Sequence, residues 1–575
     1  MKAGFHRWTV LPSQPSVETE LAAALNVSPL LARILVQRGH GAPEQAKRFL
    51  EPRLRDLGDP FALPSMRDAA ARLWRAIEQG ERIVIYGDYD VDGVTSTALL
   101  VRVLRAFGAT VSYFLPRRMD EGYGLTSDGI ERCLAEARPQ LLLAVDCGTT
   151  AAREIAELQR HGVEVIVLDH HSASEQVPRC LLINPKVTTG PGSHVAHHPT
   201  YHLATVGLAF KLAHAFLKLG REMGKAGVTE FDLKRFLDLV AVGTVADVVP
   251  LDGENRIFVR AGLDQIERTN WTGLRALKDI ARVPDRLNPH HIGFQIGPRL
   301  NAMGRLSDAL LSLELLLTED AARARELAET LDRCNRERQE IEQRTFEEAL
   351  EMLGELDPDQ RTIVLANDGW HIGVIGIVAA RLMREFYRPT VIIGFDGNGS
   401  GKGSCRSIEG FPIVDGLRQC ASYLERFGGH PAAAGLGIAA ENVVPFRERL
   451  ETVAREMIAQ EDLQPTVKVC AELPLRAIGR RLMDELQLLE PVGSGNPPPV
   501  FSARGLRLRT KPQTVGRGHL KLWLTDGELT FEGIKFAVGG WQPNSDRVDV
   551  AFTPQWSEFQ GEWAIQLKLV DVKET

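Results

Sequence analysis

Short apolar runs and amphipathic helical patterns alternate through the first half of the chain. The runs "RIVIY", "LLLAVD" and "VEVIVLDHH" are separated by helical patterns such as "TSTALLVRVLRAFG" and "AREIAELQRHG". Strands followed by helices across short turns indicate a parallel sheet that is covered on both faces. We therefore predict an α/β domain over residues 66–306, preceded by a region of short helices over residues 1–65.

The pattern changes twice in the second half. A long, charged helical pattern over residues 307–355 predicts a connecting helix, and its apolar positions are too sparse around residues 333–343 to sustain a coiled coil. A second α/β lobe is predicted over residues 356–460, with "GFDGNGSGKGSCRSIEGF" as a glycine-rich loop. Short strands over residues 461–575 predict a small closed β-barrel with "EPVGSGNPPPVF" as an irregular loop inside it.

The predicted fold class is therefore α/β, with two α/β lobes joined by a long helix and followed by a C-terminal β-barrel. A chain of 575 residues is too long for one core, which agrees with several domains. The net charge of -7 excludes a uniformly basic nucleic-acid binder, although a local basic groove is compatible with it.

Cysteine use and hydropathy indicate a compartment. Seven scattered cysteines without a CxxC pair favour a reduced cytoplasm and disfavour structural zinc. We expect no membrane span, because no apolar run reaches about 18 residues, and the start of the chain lacks the apolar core of a signal peptide.

Acidic residues follow three of the predicted strands of the first lobe. The carboxyl ends of parallel strands share one edge of a sheet, so residues that are distant in sequence converge there. A further acid lies in "GTVADVVPL", in a loop that could reach the same edge. The candidate site residues are Asp88, Asp90, Asp92, Asp146, Asp169, His170, His171 and Asp247.

Oxygen and imidazole ligands suit Mg²⁺ or Mn²⁺. Two such ions about 4 Å apart can activate water and stabilise a phosphoryl displacement. The alternative is that each acid after a strand caps the next helix. Capping explains one such acid well, but it explains acids at three strand ends poorly, and we therefore predict a metal site.

Two further segments combine basic and polar residues. "GPRLNAMGRL" brings Arg299, Asn301 and Arg305 together, and arginine forks suit phosphate oxygens. In the predicted glycine-rich loop, Ser404 and Arg406 lie among glycines whose amides could form an anion nest. The alternatives are a structural loop with surface ion pairs and a flexible surface loop.

Two aromatic or histidine-bearing motifs complete the candidates. Gly429 and His430 in "RFGGHPAAAGL" precede a predicted alanine-rich helical start, whose amides could face a phosphate; the alternative is a capping or packed histidine. Tyr123 in "RRMDEGYGL" could stack on a base or pack against the sheet edge. Four tryptophans of the barrel are predicted to be core residues: Trp523, Trp541, Trp556 and Trp563.

These motifs resemble one family. "GDYDVDG", "VDCG", "LDHH" and "GTVADVVPL", together with "RRMDEGYGL", "GPRLNAMGR" and "RFGGHPAAAG", are similar to the RecJ branch of the DHH phosphoesterase superfamily, the single-strand-specific DNA exonucleases. The resemblance runs in order through nearly the whole chain. It implies DHH and DHHA1 lobes and an oligonucleotide-binding (OB) barrel.

The resemblance also implies roles for the candidates. It implies catalytic roles for His171, facing the scissile phosphate, for Asp169, orienting an imidazole, and for Asp88. It implies substrate binding by the basic and glycine motifs, including Ser404 and Arg406. The metal ligands that it implies, with Asp146 bridging, are Asp90, Asp92, Asp146, His170 and Asp247.

The chain departs from the family pattern at two points. Related phosphatases carry a histidine as an early ligand, and the first acidic block of this chain has none. Cys405 stands where the family usually shows a glycine.

The activity that the resemblance implies is 5′-to-3′ exonucleolytic hydrolysis of single-stranded DNA with two Mn²⁺ or Mg²⁺ ions. The products would be nucleoside 5′-monophosphates. The implied setting is recombination and mismatch repair, beside a single-stranded-DNA-binding protein and a RecQ-type helicase, and we expect a monomer.

Two alternatives stay open. One is an enzyme of the same superfamily acting on short oligonucleotides, cyclic dinucleotides or pyrophosphate, but such enzymes generally lack the barrel and the N-terminal helical region. The other is a non-catalytic scaffold, which would have lost ligands of the kind that this chain retains.

Overall fold

The computed structural model describes residues 5–116, 124–173, 176–187, 199–306, 308–395, 399–516, 518–536, 538, 540–559 and 561–575. These residues form two compact units. The parallel-sheet unit comprises residues 44–336 and 489–497. The barrel unit comprises the described residues up to Pro43, residues 337–488 and the described residues from Pro498 onward.

Strands and helices are numbered in chain order. The strands are β1 (Arg7–Val10), β2 (Arg82–Gly87), β3 (Thr110–Phe114), β4 (Leu141–Val145), β5 (Glu164–Leu168), β6 (Leu181–Ile183), β7 (Ile363–Asn367), β8 (Thr390–Phe395), β9 (Ser400–Arg406), β10 (Arg426–His430), β11 (Ala433–Ala439), β12 (Thr466–Val469), β13 (Ala471–Glu472), β14 (Phe501–Leu508), β15 (Gln513–Val515), β16 (His519–Thr525), β17 (Thr530–Lys535), β18 (Arg547–Phe559) and β19 (Glu562–Glu574). The helices are α1 (Pro15–Leu25), α2 (Pro29–Gln37), α3 (Pro43–Leu50), α4 (Met66–Glu78), α5 (Val91–Ala106), α6 (Ser127–Ala137), α7 (Ala152–Arg160), α8 (Thr205–Glu222), α9 (Leu237–Ala246), α10 (Gly253–Glu267), α11 (Thr272–Ala281), α12 (Pro289–His291), α13 (Gly297–Leu306), α14 (Leu310–Leu317), α15 (Ala321–Leu353), α16 (Ile372–Phe386), α17 (Ile413–Gln419), α18 (Val443–Met457) and α19 (Arg480–Gln487).

The parallel-sheet unit is organised around five parallel strands in the order β3-β2-β4-β5-β6. Alternate residues of each strand enter different cores. In β2, Ile83 and Ile85 join the core beneath α4, α5, α8 and α9, whereas Val84 and Tyr86 join the core beneath α6 and α7. Burial on both faces explains why these strands are continuous apolar runs in the sequence.

The barrel unit contains a mixed sheet and a barrel. The mixed sheet has the order β10-β11-β9-β8-β7, and only the pair β7 and β8 is parallel. In the barrel, β14 pairs with both β18 and β16, so the strands β14, β18, β19, β17 and β16 form a closed ring. The fold class is therefore as predicted, because two α/β lobes, a long helix and a C-terminal barrel are all present.

Two helical predictions were wrong in detail. The segment predicted as one long helix contains α14 and α15, because the backbone becomes extended at Thr318, directly after α14. Asp320 then caps α15 by accepting hydrogen bonds from the backbone N–H of Ala322 (2.8 Å) and Arg323 (3.3 Å). The predicted alanine-rich helical start after His430 is strand β11, hydrogen-bonded on both sides to β10 and β9. Pairing with two strands therefore overrides the helical preference of alanine.

Three predictions for the glycine-rich and barrel segments were also wrong. The middle of the glycine-rich segment, Ser400–Arg406, is strand β9, and Gly403 lets this strand approach its neighbour, since a Cβ there would lie 2.6 Å from Leu436 Cδ1. Residues 489–497 belong to the parallel-sheet unit and not to the barrel. The four barrel tryptophans are not core residues, since three are half-buried and Trp563 is 63% exposed.

Of the described residues, no single helix has the length and hydropathy that a membrane crossing requires, although α1 and α2 meet the criterion together as a pair bent by 116°.

Candidate metal centre

Three carboxylates extend neighbouring strands of the parallel sheet by one residue each. The backbone N–H of Asp88 donates to Val145 O (3.2 Å), that of Asp146 to Leu168 O (2.9 Å) and that of Asp169 to Ile183 O (3.1 Å). The ladder of the sheet therefore continues through the three acids and places them side by side at one edge, as the sequence predicts. Asp146 has a positive φ of 65°, a conformation that costs energy for a residue other than glycine and that is common at functional sites.

The loop after β2 is fixed by its own carboxylate. Asp90 is the N-cap of α5, and its Oδ1 accepts hydrogen bonds from the backbone N–H of Asp92 (2.9 Å) and Gly93 (3.1 Å). From the segment predicted to bind phosphate, Asn301 Oδ1 accepts from the backbone N–H of Val91 (3.1 Å). Asp90 and Asn301 therefore both fix the segment Asp88–Gly93, which we call the acidic loop.

Asp92 is buried against the start of α8. Its two carboxylate oxygens accept from the backbone N–H of Thr205 (2.7 Å) and Val206 (2.8 Å). The hydroxyl of Thr205 donates to Asp146 Oδ1 (2.8 Å). The N-terminus of α8 thus orients two acids of the site at once.

His170 lies between acids from distant parts of the chain. Its Nε2 is 3.6 Å from Asp146 Oδ1 and 3.4 Å from Asp247 Oδ2, and Asp247 follows the last residue of α9. Three groups have donor atoms that all lie within 4.8 Å of one another. They are Asp88–Asp90–Asp146, Asp92–His170–Asp247 and Asp146–His170–His171.

The donor atoms fit divalent cations. In the part of the chain that the structure describes, the buried oxygens Asp88 Oδ1 and Asp247 Oδ2 have no hydrogen-bond donor, although buried polar atoms nearly always have a partner. Cys147 adjoins Asp146, but burial raises the pKa of its thiol well above the usual value, so it stays protonated. The ligand atoms are therefore carboxylate oxygens and imidazole nitrogens, which suit Mg²⁺ or Mn²⁺.

Burial and mutual repulsion raise the pKa of most of these acids. Burial, followed by the charge of Asp90, raises the pKa of Asp88 and of Asp92 to about 7. Burial and the neighbouring carboxylates raise the pKa of Asp247 to about 9 and that of Asp146 well above its usual value. Without cations the cluster therefore retains protons, and bound cations would displace them.

Asp169 differs from the other acids because it is paired with a histidine. Its Oδ1 accepts from His171 Nδ1 (2.8 Å) and its Oδ2 from the backbone N–H of Thr149 (3.0 Å). Burial opposes ionisation of Asp169, but the bond to His171, the charges of His171 and His170 and the bond from Thr149 together outweigh it and hold the pKa of Asp169 below its usual value. Burial lowers the pKa of His171, but the hydrogen bond to Asp169 and the charges of Asp169, Asp247 and Asp88 together outweigh burial and raise this pKa to about 9. His171 is thus a half-exposed cation at the rim of the acidic cluster.

Sequence reasoning missed three residues at the site, which are Asn184, Lys186 and Thr205. Asn184 follows β6 and is buried, and its Nδ2 donates to Thr149 Oγ1 and His171 O, both at 2.8 Å. Two residues later is Lys186, whose pKa is lowered by burial and raised in part by Asp247 and Asp169. The strand-end argument would have found Asn184 if "LLI" had been recognised as a strand, whereas the sequence carries no signal for Thr205.

The predicted phosphate-binding residues lie in both units. In the parallel-sheet unit, Arg299 donates through Nε to Asp332 Oδ1 (2.9 Å) and through Nη1 to Gln295 O (2.6 Å). Arg305 is half-buried near the end of α13, the helix that also carries Asn301.

The remaining predicted residues lie on the mixed sheet of the barrel unit. Arg406 Nη1 donates to Ser404 Oγ (3.1 Å), and Arg406, Ala433 and His430 are paired directly across three strands. Gly429 precedes His430 on the same strand and has a φ of 144°, which favours glycine. Ser404, Arg406 and His430 are thus collected at one end of this sheet, while Tyr123 lies outside the described residues.

Models of three domain families match the chain. The DHH family N-terminal domain matches residues 82–244, the DHHA1 domain residues 359–456 and the RecJ OB domain residues 470–571. The first match contains seven of the eight acidic-cluster residues and ends shortly before Asp247.

Curated relatives and a solved structure match over almost the whole chain. The single-stranded-DNA-specific exonuclease RecJ of Bacillus subtilis is 39% identical over 545 residues, which cover 94% of this chain and 67% of the relative. RecJ of Dickeya dadantii is 36% identical over 97% of this chain and 98% of the relative. The crystal structure of RecJ from Thermus thermophilus in complex with Mn²⁺ matches with a TM-score of 0.84 and 34% identity, covering 99% of this chain and 80% of that one. The chain therefore belongs to the RecJ family of single-stranded-DNA-specific exonucleases.

Proposed function

We propose that this chain is a metal-dependent exonuclease that hydrolyses phosphodiester bonds of single-stranded DNA. The observation that carries the proposal is the arrangement of three ligand groups, of which one, Asp146–His170–His171, shares Asp146 with one of the other two and His170 with the other. Ligand groups that overlap in this way can hold two cations close together, as two-metal phosphoryl-transfer sites do. The relatives supply the substrate class, since each is named a single-stranded-DNA-specific exonuclease.

The ligand groups suggest how two Mn²⁺ or Mg²⁺ ions would be held. Asp88, Asp90 and Asp146 would bind one ion, and Asp92, His170 and Asp247 would bind the other. The group Asp146–His170–His171 links the two sets, because it contains one ligand of each. Bound at such a site, the two ions supply an activated water and charge stabilisation for the displaced oxygen. The intact ligand set is evidence against a non-catalytic scaffold.

His171 and Asp169 act together at the rim of the site. Because Asp169 occupies Nδ1 of His171, the Nε2–H of the imidazolium is the group that can face a phosphate oxygen. A cation at this position offsets the charge that develops on the scissile phosphate, and Nε2 holds a proton for the leaving oxygen. Asp169 keeps the ring oriented and protonated.

The substrate strand is held by its phosphates. In the barrel unit, Ser404, Arg406 and His430 lie at one end of the mixed sheet and would bind a terminal phosphate. In the parallel-sheet unit, Arg299 would bind another phosphate of the strand. Phosphate contacts position the strand without selecting a sequence, which suits an exonuclease. The 5′-to-3′ direction and the release of nucleoside 5′-monophosphates rest on family membership.

We also propose the cellular setting on the same family grounds. A single-stranded-DNA-binding protein and a RecQ-type helicase would present the strand during recombination and mismatch repair. The enzyme would work as a monomer in the cytoplasm, where its seven free cysteines stay reduced.

The test is digestion of a 60-nucleotide strand labelled at its 5′ or 3′ end, alone or in a blunt duplex, with Mn²⁺, Mg²⁺ or EDTA. We expect mononucleotides from the 5′ end of the single strand, little digestion of the duplex and no digestion with EDTA. Asp146→Asn should abolish the reaction, whereas Asp264→Asn, at an exposed acid of α10, should not change it. Undiminished cleavage in EDTA would refute the metal mechanism, and digestion of dinucleotides in preference to the long strand would refute the polymer substrate.

A further inference from the structure

Two strongly exposed apolar side chains lie beside the metal centre. Among the described residues of the parallel-sheet unit, the exposed large apolar side chains are Val177, Met223, Val248 and Phe294. Val248 and Phe294 are each 68% exposed, and Val248 directly follows the candidate ligand Asp247. Phe294 is the aromatic member of this set.

Phe294 is placed by a turn of π-helix, Ile292–Ile296, that packs against the end of α9. A Cβ on Gly293 would lie 3.9 Å from Val245 Cγ1, and one on Gly297 would lie 3.4 Å from Ala246 Cβ. Val245 and Ala246 are the last two residues of α9, immediately before Asp247. A π-helical turn inside a helical segment is frequent at functional sites, because it changes the direction in which a side chain points.

The same helical segment continues to the acidic loop. Its continuation, α13, carries Asn301, which accepts a hydrogen bond from the backbone N–H of Val91. It also carries Gly304, where an added Cβ would lie 3.0 Å from Tyr89 O. The segment therefore borders the metal centre from the Asp247 side to the acidic loop. Phe294 belongs to the part of this segment that packs against α9, and its own side chain is exposed.

Among the described residues, one aromatic ring stacks on Phe294. His290 stacks on it with ring centroids 4.5 Å apart and planes inclined by 24°. Phe294 remains 68% exposed despite this contact, so part of the side chain is accessible to a ligand in the described structure. The buried neighbours Ile292 and Ile296 anchor the turn that carries the ring.

We propose that Phe294, supported by His290, is a stacking platform for an unpaired nucleobase of the substrate strand beside the scissile bond. The inference rests on the proposed function, because the metal centre defines where the strand passes. Aromatic side chains stack on any base, which suits an enzyme that does not read sequence. In a duplex the bases are paired and stacked on one another, so the platform favours a single strand.

The test compares Phe294→Leu, which keeps an apolar side chain of similar size, with Phe294→Trp, which keeps an aromatic face. Met223→Leu, at an exposed apolar position of the same unit, is the control. All proteins are loaded with Mn²⁺, and the Mn²⁺ affinity of each, measured by electron paramagnetic resonance, should equal that of the wild type. Equal affinity shows that the metal centre is intact in each variant.

Two strands of the same backbone separate stacking from other effects. One carries normal bases and the other carries abasic residues at its first six positions. Phe294→Leu should raise KM for the normal strand by about 5- to 150-fold, which corresponds to the ~1–3 kcal/mol typical of one base–aromatic stack. It should leave KM for the abasic strand unchanged, and Phe294→Trp should resemble the wild type on both strands.

A fluorescent base locates the contact. 2-Aminopurine is placed singly at successive positions of a strand with phosphorothioate linkages, which slow hydrolysis. Binding to the wild type should quench the fluorescence at one or two positions near the attacked end, and Phe294→Leu should remove that quenching.

Equal KM values for Phe294→Leu and the wild type on the normal strand would overturn the proposal, as would an equal loss on both strands. Failure of the wild type to digest the normal strand would instead overturn the proposed function.

Discussion

Replacement of Gly93 by alanine is predicted to disable the metal centre and to leave the fold in place. Gly93 lies in the first turn of α5, within the acidic loop. A Cβ at this position would lie 2.4 Å from Asp88 O, 2.7 Å from Asp88 C and 2.8 Å from Asp88 N. All three atoms are backbone atoms, so no side-chain rotation can relieve the overlap.

The size of the effect follows from these distances. To restore ordinary van der Waals contact, the backbone at Asp88 or the start of α5 must move by roughly 1 Å. Metal sites tolerate changes of only about 0.2 Å in ligand distance, so the affinity for Mn²⁺ should fall by at least ~10–100-fold. Overpacking of this kind costs about 1–3 kcal/mol, which lowers the melting temperature by roughly 2–12 °C.

The control for this prediction is Gly262→Ala. A Cβ on Gly262 would lie 2.3 Å from Leu237 O, which is an overlap with the same kind of atom at the other end of α9 from Asp247. Both variants should lower the melting temperature of the metal-free protein to a similar degree. Only Gly93→Ala should lose Mn²⁺ affinity in a titration followed by electron paramagnetic resonance, and unchanged affinity in that variant would refute the reasoning.

Three further predictions concern pH, a buried arginine and a buried amide. The pKa values of Asp88 (about 7) and Asp247 (about 9) lie above those of the unfolded chain, so the metal-free protein should lose stability as the pH rises from about 4 to about 9. Its Mn²⁺ affinity should rise over about pH 6 to 9, because the ligands lose their protons there. An Mn²⁺ affinity that does not change with pH would contradict this prediction. Arg256→Met should lower the free energy of unfolding, measured with urea, by at least ~3 kcal/mol, because the buried guanidinium donates to three backbone carbonyls at 2.7, 3.0 and 2.7 Å. The control Arg260→Met, on the same helix, should lower it far less. Asn184→Ala should lower kcat by ~10–100-fold with unchanged Mn²⁺ affinity, because it removes the hydrogen bond that holds the backbone carbonyl of His171. Equal kcat values for the variant and the wild type would exclude a positioning role for Asn184.

The position of the acids could be predicted because it depends on sheet geometry. Asp88, Asp146 and Asp169 each follow a buried apolar run, and parallel strands bring such positions to one edge. The different roles of these three acids could not be predicted from their spacing in the sequence. Asp169 pairs with His171 and lies outside the three ligand groups, whereas Asp88 lies within one of them.

Other features depend on long-range pairing that leaves no local signal. Gly403 resembles a loop residue in the sequence, but it is part of a strand because Leu436 of the neighbouring strand needs the space. The segment after Leu488 belongs to the parallel-sheet unit because Ser494 O accepts from the backbone N–H of Leu251 (2.7 Å) and because Arg256 binds the carbonyls of Glu490 and Pro491. These partners lie more than 230 residues away, so neither periodicity nor composition indicates them.

Helix capping and metal binding, which the sequence presents as alternatives, are combined in this site. Asp90 caps α5, and Asp92 accepts the first backbone N–H groups of α8, yet both lie in ligand groups. Each helix N-terminus carries a partial positive charge, which offsets part of the repulsion among the buried acids. The amide hydrogen bonds also fix the carboxylates in one orientation, because a carboxylate oxygen has a second lone pair that remains available to a cation. An acid that caps a helix at this sheet edge is therefore a better-positioned ligand than an uncapped one, and for this reason capping is not evidence against the metal site.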